Sequence, residues 1–185
     1  MDNLAASLVS TERVYDGRIV RVDIDTVKAP DGSLMKLEMV RHSGAAAIVP
    51  LVSDPASRDP SVLLIKQYRH AAGGTIWEIP AGVLEPGEAP LDCARRELLE
   101  EVGATAQHFD HLTTLYTTPG FTDERIHLFL ATGIGVGETQ HEPDEFIEVE
   151  ARPISRVLEM IRNGEIVDGK SIAALLFTAG FRLGL

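Results

Sequence analysis

Residues 82–104 read GVLEPGEAPLDCARRELLEEVGA, a shaped loop running into a helix that carries three acids on one side. On an α-helix, steps of three and four return side chains to nearly the same bearing. Glu97, Glu100 and Glu101 therefore share a strip roughly 100° wide. Like charges at that spacing destabilise a helix unless something neutralises them. Hard divalent cations with oxygen ligands, Mg²⁺ or Mn²⁺, are the natural neutraliser. The alternative is a solvated charged face. Against it, the Glu100–Glu101 pair has no lysine four residues on, and a Gly-Val-Leu-Glu-Pro-Gly loop precedes it.

The helix has clear ends. Pro90 suits the first turn, Asp92 sits near the positive end of the dipole, and Gly103 suits a left-handed residue past the last turn. Leu91, Leu98 and Val102 form an apolar stripe beside the acids, positioned to pack on a core. An Arg96–Glu88 pair would tie the entering loop to the helix. Cys93, the single cysteine, falls mid-helix as a small packed residue, and one cysteine allows no internal disulfide.

This segment resembles the Nudix box. The pattern is Gly, five residues, Glu, seven residues, Arg-Glu, a hydrophobic residue, any residue, Glu-Glu, any residue, Gly, a hydrophobic residue. Gly82, Glu88, Arg96, Glu97, Leu98, Glu100, Glu101, Gly103 and Ala104 meet it, Ala104 least well. Chance would supply the fixed letters in about one window in 10⁸. The resemblance implies an α+β fold, a Nudix-type α/β/α sandwich with a mixed sheet. It also implies metal-dependent hydrolysis of a nucleoside diphosphate linked to another group. Glu97, Glu100 and Glu101, with the Ala81 carbonyl, would hold Mg²⁺ or Mn²⁺.

Pro119 stands sixteen residues past Gly103, in YTTPGFTDE (116–124), as in the ADP-ribose pyrophosphatase subfamily. The stretches EMVRHSGA (38–45), QYR (67–69) and WEIPAG (77–82) resemble the same subfamily. The implied reaction is cleavage of ADP-ribose to AMP and ribose 5-phosphate. Another nucleoside diphosphate sugar, such as GDP-mannose, is the competing substrate. A silent ADP-ribose-sensing domain is the competing class. Glutamates of the loop HEPDEF (141–146), Glu142 first and Glu145 second, are the expected water-activating base. Within the box Glu100 or Glu101 is the candidate, Glu100 being taken first, and Arg96 is grouped with these catalytic residues.

Arg41 and Arg69 are candidates for phosphate or ribose binding, since a guanidinium can grip phosphate oxygens with two bonds. Each fits a structural ion pair equally well. Glu78 is a candidate contact to ribose or adenine, Gly120 and Phe121 would shape the pocket for the terminal ribose, and Trp77 belongs to the core.

Net charge is −11 with no Lys/Arg cluster, which disfavours a nucleic-acid partner, while the small nucleotide-sugar diphosphate that the resemblance implies remains compatible. A metal ion can reverse the local field at an acidic site. The six histidines lack metal-ligand spacing. No long apolar run suggests a membrane span, and residues 1–10 do not read as a leader, so a cytoplasmic setting is expected.

Before the box, Val20, Val22 and Ile24 alternate with Arg21, Asp23 and Asp25 as a half-buried strand. A turn at 30–33 and a second alternation at Met35, Leu37 and Met39 make an antiparallel hairpin. Residues 45–52, 62–65 and 126–131 read as core strands. Ser155 is expected to cap a helix reaching Asn163, and 170–179 reads as a last helix. We expect a small N-terminal β subdomain over 1–43 and the hydrolase domain over 44–185. A lone hairpin is too small to be stable. It is therefore expected to dock on a second subunit, giving a homodimer, as the resemblance also implies; the alternative is a hairpin folded on its own chain.

Overall fold

Strand β4 (Ala45–Pro50) is buried on both faces, and the side chains it sends each way define the layers. Ala45, Ala47 and Val49 pack with Ile154, Val157, Met160, Ala174 and Leu175. Ala46 and Ile48 pack with Cys93, Ala94, Leu98 and Val102. A strand buried on both sides reads as a continuous apolar run rather than an alternation, as residues 45–50 do. β5 (Ser61–Arg69) repeats the arrangement, Val62 and Leu64 facing one cluster and Leu63 and Ile65 the other. Helix α1 (Pro90–Val102) thus covers one side, while α2 (Ile154–Arg162) and α3 (Gly169–Phe177) cover the opposite one.

The computed structural model describes residues 6–137 and 147–185. It contains two compact units, one of Met1–Gly44 with Tyr116–Arg125 and one of Ala45–Leu115 with Ile126–Leu185. The remaining strands are β1 (Ser7–Asp16), β2 (Arg21–Lys28), β3 (Leu34–Arg41), β6 (Gly74–Glu78), β7 (Ala81–Val83), β8 (Ala104–Tyr116), β9 (Arg125–Val136) and β10 (Ile147–Pro153). In the larger unit a four-stranded sheet runs β7-β4-β9-β8. There β4 lies parallel to β9 and antiparallel to β7, so the sheet is mixed. A second sheet, β10-β5-β6, is antiparallel. No helix among the described residues is long and apolar enough to cross a membrane.

The smaller unit is a three-stranded antiparallel sheet, β1-β2-β3, one strand more than the expected hairpin. Its middle strand corrects the sequence reading. Asp23 and Asp25 are buried, whereas Val22 and Ile24 are only half-buried. The reason is local charge pairing. Arg41 Nε donates to Asp23 at 3.0 Å and its Nη2 donates to Asp25, while Arg13 Nε donates to Asp23 and Thr11 Oγ1 donates to Asp25 at 2.8 Å. Long arginine arms shield the aspartates, and hydrogen bonding to the two arginines holds the Asp23 carboxyl below its ordinary range.

A second correction concerns α2. It begins at Ile154, so Ser155 lies inside its first turn. Asp59, from the segment between β4 and β5, supplies the cap instead: its carboxylate accepts from Ser155 N at 3.0 Å and Ser155 Oγ at 2.7 Å. A carboxylate accepts from an exposed helix N–H as a hydroxyl can, and its charge also complements the dipole. Gly164, just past the helix, is left-handed (φ 74°) as its position demands.

Candidate active site

Helix α1 starts at Pro90, carries Asp92 in its first turn and ends on Gly103 at φ 64°, whose N–H returns to Leu99 O at 2.9 Å. Its inner face buries Cys93, Ala94, Leu98 and Val102, and Leu91 packs at the margin. Burial pushes the Cys93 thiol up to about 12, so it stays protonated near neutrality.

Fixing that face determines where the acids point. Glu97 and Glu101 are buried, at 7% and 3% exposure, and Glu100 is half-exposed beside them. The strand β7 segment lies against this strip. Ala81 N donates to Glu101 Oε2 at 2.8 Å. A side chain at Gly82 would fall within 2.5 Å of the Glu97 carboxyl carbon and both its oxygens, so only glycine leaves room for that carboxylate.

Arg96 organises the edge of the strip. Its Nε and Nη2 grip Glu88 Oε1 and Oε2, both at 2.9 Å, a two-bond fork. Its Nη1 donates to Glu97 Oε1 at 2.5 Å and to Glu100 Oε2 at 3.1 Å, and Nη2 also reaches Val83 O at 3.1 Å. The acids lacked a lysine four residues on; the structure gives Glu100 an arginine four residues before it. Glu88 in turn accepts from Glu85 N at 3.0 Å, closing the loop onto the helix.

The Arg96 fork holds the Glu88 carboxyl down at about 2. A carboxyl whose folded pKa lies below its unfolded value adds stability that is complete above the unfolded value, near 4.5. That stability disappears as pH falls toward 2. Urea unfolding between pH 5 and pH 2 is therefore expected to lose part of its stability in this window. Glu88→Gln should show a shallower decline there and lower stability at neutral pH. Identical slopes for both proteins would contradict the assignment.

The candidate substrate residues are engaged with one another or with neighbouring acids. Arg69 Nε and Nη2 grip Glu78 Oε1 and Oε2 at 2.6 and 2.9 Å, and Lys170 Nζ also donates to Glu78, which is 1% exposed. Hydrogen bonding to Glu78 raises the Arg69 pKa, with a smaller contribution from the charge of Glu101. Lys170, Asp168 and Ser171 were not singled out from the sequence; only the C-terminal helix was, and no local pattern ties it to Glu78.

In the other unit, Arg41 is shared among Asp23, Asp25 and Asp123, the last at 3.3 Å, so the ion-pair alternative describes its contacts. Gly120 and Phe121 lie on a turn in which Phe121 N and Thr122 N donate to Thr118 O at 3.1 Å. Phe121 O accepts from Val40 N at 2.7 Å, and the Phe121 ring is exposed. Glu142 and Glu145 lie outside the described residues.

A family model described as "NUDIX domain" matches residues 42–175, most of the chain. The chain belongs to the NUDIX family. It is 35% identical to the ADP-ribose pyrophosphatase of Bacillus subtilis (strain 168), over 96% of this chain and 94% of that protein. It is also 35% identical to a methanol dehydrogenase activator of Bacillus methanolicus, over 91% and 90%. With the ADP-ribose pyrophosphatase of Mycobacterium tuberculosis it shares 37% identity, over 94% and 84%. A crystal structure of an ADP compounds hydrolase superposes with TM-score 0.82 over 97% of this chain and 95% of that one, at 20% identity, and shares the fold. This Nudix chain is thus a hydrolase with the mixed-sheet α+β architecture of that family.

Nudix hydrolases generally need a divalent metal. Among the described residues, no group of three or more His, Cys, Asp or Glu converges as a metal-holding set, and Arg96 engages one oxygen each of Glu97 and Glu100. The donor chemistry nonetheless fits a hard dication. Every available ligand on the strip is oxygen, two of the carboxylates are buried, and Gly82 leaves the space that Glu97 fills.

Proposed function

We propose that this chain hydrolyses the diphosphate of ADP-ribose, or a related ADP-sugar, to AMP and ribose 5-phosphate, using Mg²⁺ or Mn²⁺. The observation that carries this reading is the strip of Glu97, Glu100 and Glu101 packed on the Ala81–Gly82 backbone. It stands in a chain 35% and 37% identical to two ADP-ribose pyrophosphatases over most of its length.

Glu97, Glu100 and Glu101, with the Ala81 carbonyl, would hold the metal. When bound, it supplies polarisation of phosphate oxygens, acidification of water and neutralisation of developing charge. The chain's own residues do the rest. Arg96 and Glu88 brace the strip at its solvent side. Arg69, held by Glu78, is placed to attract a phosphate oxygen. A carboxylate must take the proton as water adds to phosphorus and the anhydride oxygen leaves with the second phosphate. We assign that role to Glu142, with Glu145 as the alternative in the same loop.

The test is a panel of nucleoside diphosphate sugars, including ADP-ribose and GDP-mannose, hydrolysed in H₂¹⁸O with Mg²⁺ or Mn²⁺. ADP-ribose is expected to give AMP and ribose 5-phosphate, with the heavy oxygen in one product identifying the phosphorus attacked. Preferred cleavage of a non-adenine sugar would replace the substrate assignment.

We also propose a homodimer assembled through the N-terminal sheet, working in the cytoplasm, where its lone buried thiol suits a reducing setting. Leu8 and Met35, both registered opposite Val27, and Leu37 two residues beyond Met35 are exposed apolar residues on one face of this small sheet, a row expected to be covered. Sedimentation equilibrium is expected to return the mass of two chains. Placing glutamate at Met35 and Leu37 together should shift the mass to one chain. A wild-type monomer at micromolar concentration would overturn this.

A further inference from the structure

The first turn of α3 is fastened to the end of β6 by a closed circuit of hydrogen bonds. Asp168 Oδ2 caps the helix, accepting from Ser171 N at 2.9 Å and from Ser171 Oγ at 2.5 Å. Ser171 Oγ, fully buried, accepts from Ile79 N at 2.9 Å. Lys170 Nζ donates to Asp168 Oδ2 at 3.0 Å and to Glu78 Oε2. Glu78 then holds the Arg69 fork.

The same short segment continues to the carboxylate strip. Pro80 O accepts from Ile48 N at 2.9 Å, and Ala81 N donates to Glu101. Residues 78–81 are thus pinned from α3 on one side and from α1 on the other. Three donors fall on the two Glu78 oxygens, which fixes the plane of the carboxylate. Arg69 can grip it with both bonds only in one orientation. That leaves Arg69 Nη1 with no hydrogen bond among the described residues, on a side chain 41% exposed. A guanidinium anchored this way keeps a preorganised donor edge, so little rotamer freedom is lost when an anion arrives.

We infer that Lys170 is a positioning residue: by fixing Glu78 it holds Arg69 with its open edge available to the diphosphate of the substrate. This rests on the function proposed above. Removing the Lys170 ammonium would leave the buried Glu78 carboxylate with Arg69 as its one cation. The carboxylate would be free to rotate, and the guanidinium would be drawn inward to satisfy it. Ligand binding should weaken without any loss of the acids on α1.

The experiment is calorimetric titration of ADP-ribose into the full chain in buffer containing EDTA, so that binding is read apart from turnover. Wild type, Lys170→Met, Lys170→Arg, Glu78→Gln and the Lys170→Met/Glu78→Gln pair are compared after thermal melts confirm folding. Lys170→Met is expected to weaken binding about tenfold, and Lys170→Arg to stay within about threefold of wild type. In the Glu78→Gln background the methionine should add less than about twofold, because Lys170 acts through Glu78. With Mg²⁺ restored, KM should rise while kcat changes little. A Lys170→Met protein that binds as wild type does, or that loses as much in the Glu78→Gln background, overturns the assignment while leaving the proposed function intact. If Lys170→Met does not fold, Lys170→Gln takes its place with the same expected loss. Wild type that neither binds nor cleaves any nucleoside diphosphate sugar overturns both.

Discussion

Replacing Glu101 with glutamine is expected to lower kcat/KM for ADP-ribose by about a hundred- to a thousandfold, equivalent to ~3–4 kcal/mol of transition-state stabilisation. The substitution changes one atom and removes one charge. Glu101 is 3% exposed and accepts from Ala81 N at 2.8 Å. A glutamine carbonyl can accept the same bond, so the β7 segment keeps its anchor and the melting temperature should shift by only about 4 °C or less. What disappears is the anionic oxygen proposed above as a metal ligand, at the point where the strip meets the backbone. Neutral amide oxygens hold Mg²⁺ poorly, so the remaining activity should need a higher metal concentration. Arg69 feels the charge of Glu101, so substrate binding should alter too, though far less than turnover. Steady-state kinetics across a metal titration, with a thermal melt on the same preparation, checks this. Activity within about threefold of wild type, in a protein that melts normally, would sink the metal-site assignment.

The site-bearing helix was legible because its signals are local. Pro90, Asp92 and Gly103 delimit it, and the step from Leu98 to Val102 fixes its buried face. Once that face is fixed, the bearing of Glu97 and Glu101 follows. Strands β4 and β5 were legible for the same reason, since an unbroken apolar run requires cover on both sides. Strand β8 was not: among its thirteen residues only Ala104 and Leu112 are buried, too sparse for a period to show.

The two misreadings have a common cause. Alternation in β2 reveals a period of two but not which face is covered, and the covering atoms are guanidinium arms from β1 and β3. Likewise the cap of α2 comes from Asp59, 96 residues before Ser155. The Glu78–Lys170 contact spans 92 residues. Pairings at such separation depend on the completed fold, and charged partners carry no periodic mark in the sequence. The acids of α1 could be found from spacing; the pairing of Arg69 with Glu78, and the part played by Lys170, could be found only from the structure.

Gly82→Ala is expected to cut kcat/KM by about a hundredfold or more while costing only about 1–3 kcal/mol of stability. Gly82 is not among the glycines with positive φ, so alanine meets no backbone strain there. The conflict is purely one of space. An added methyl falls within 2.5 Å of the Glu97 carboxyl carbon and both oxygens. The backbone cannot retreat easily, since Gly82 is registered with Ala46 across β7 and β4, and its carbonyl accepts from Cys93 Sγ at 3.5 Å. Glu97 must move instead. Its side chain is flexible enough to do so without unfolding the protein, but the carboxylate then leaves the strip and its bond from Arg96 is broken. Gly87→Ala separates this from a general glycine effect. Gly87 sits at φ 81° with open space around it, so alanine there strains the backbone and touches nothing. That variant should lose about 1 kcal/mol of stability and keep its turnover. Denaturant melts and kinetics on both variants make the comparison. A Gly82→Ala enzyme with wild-type kcat/KM would show that the position of Glu97 does not matter to the reaction.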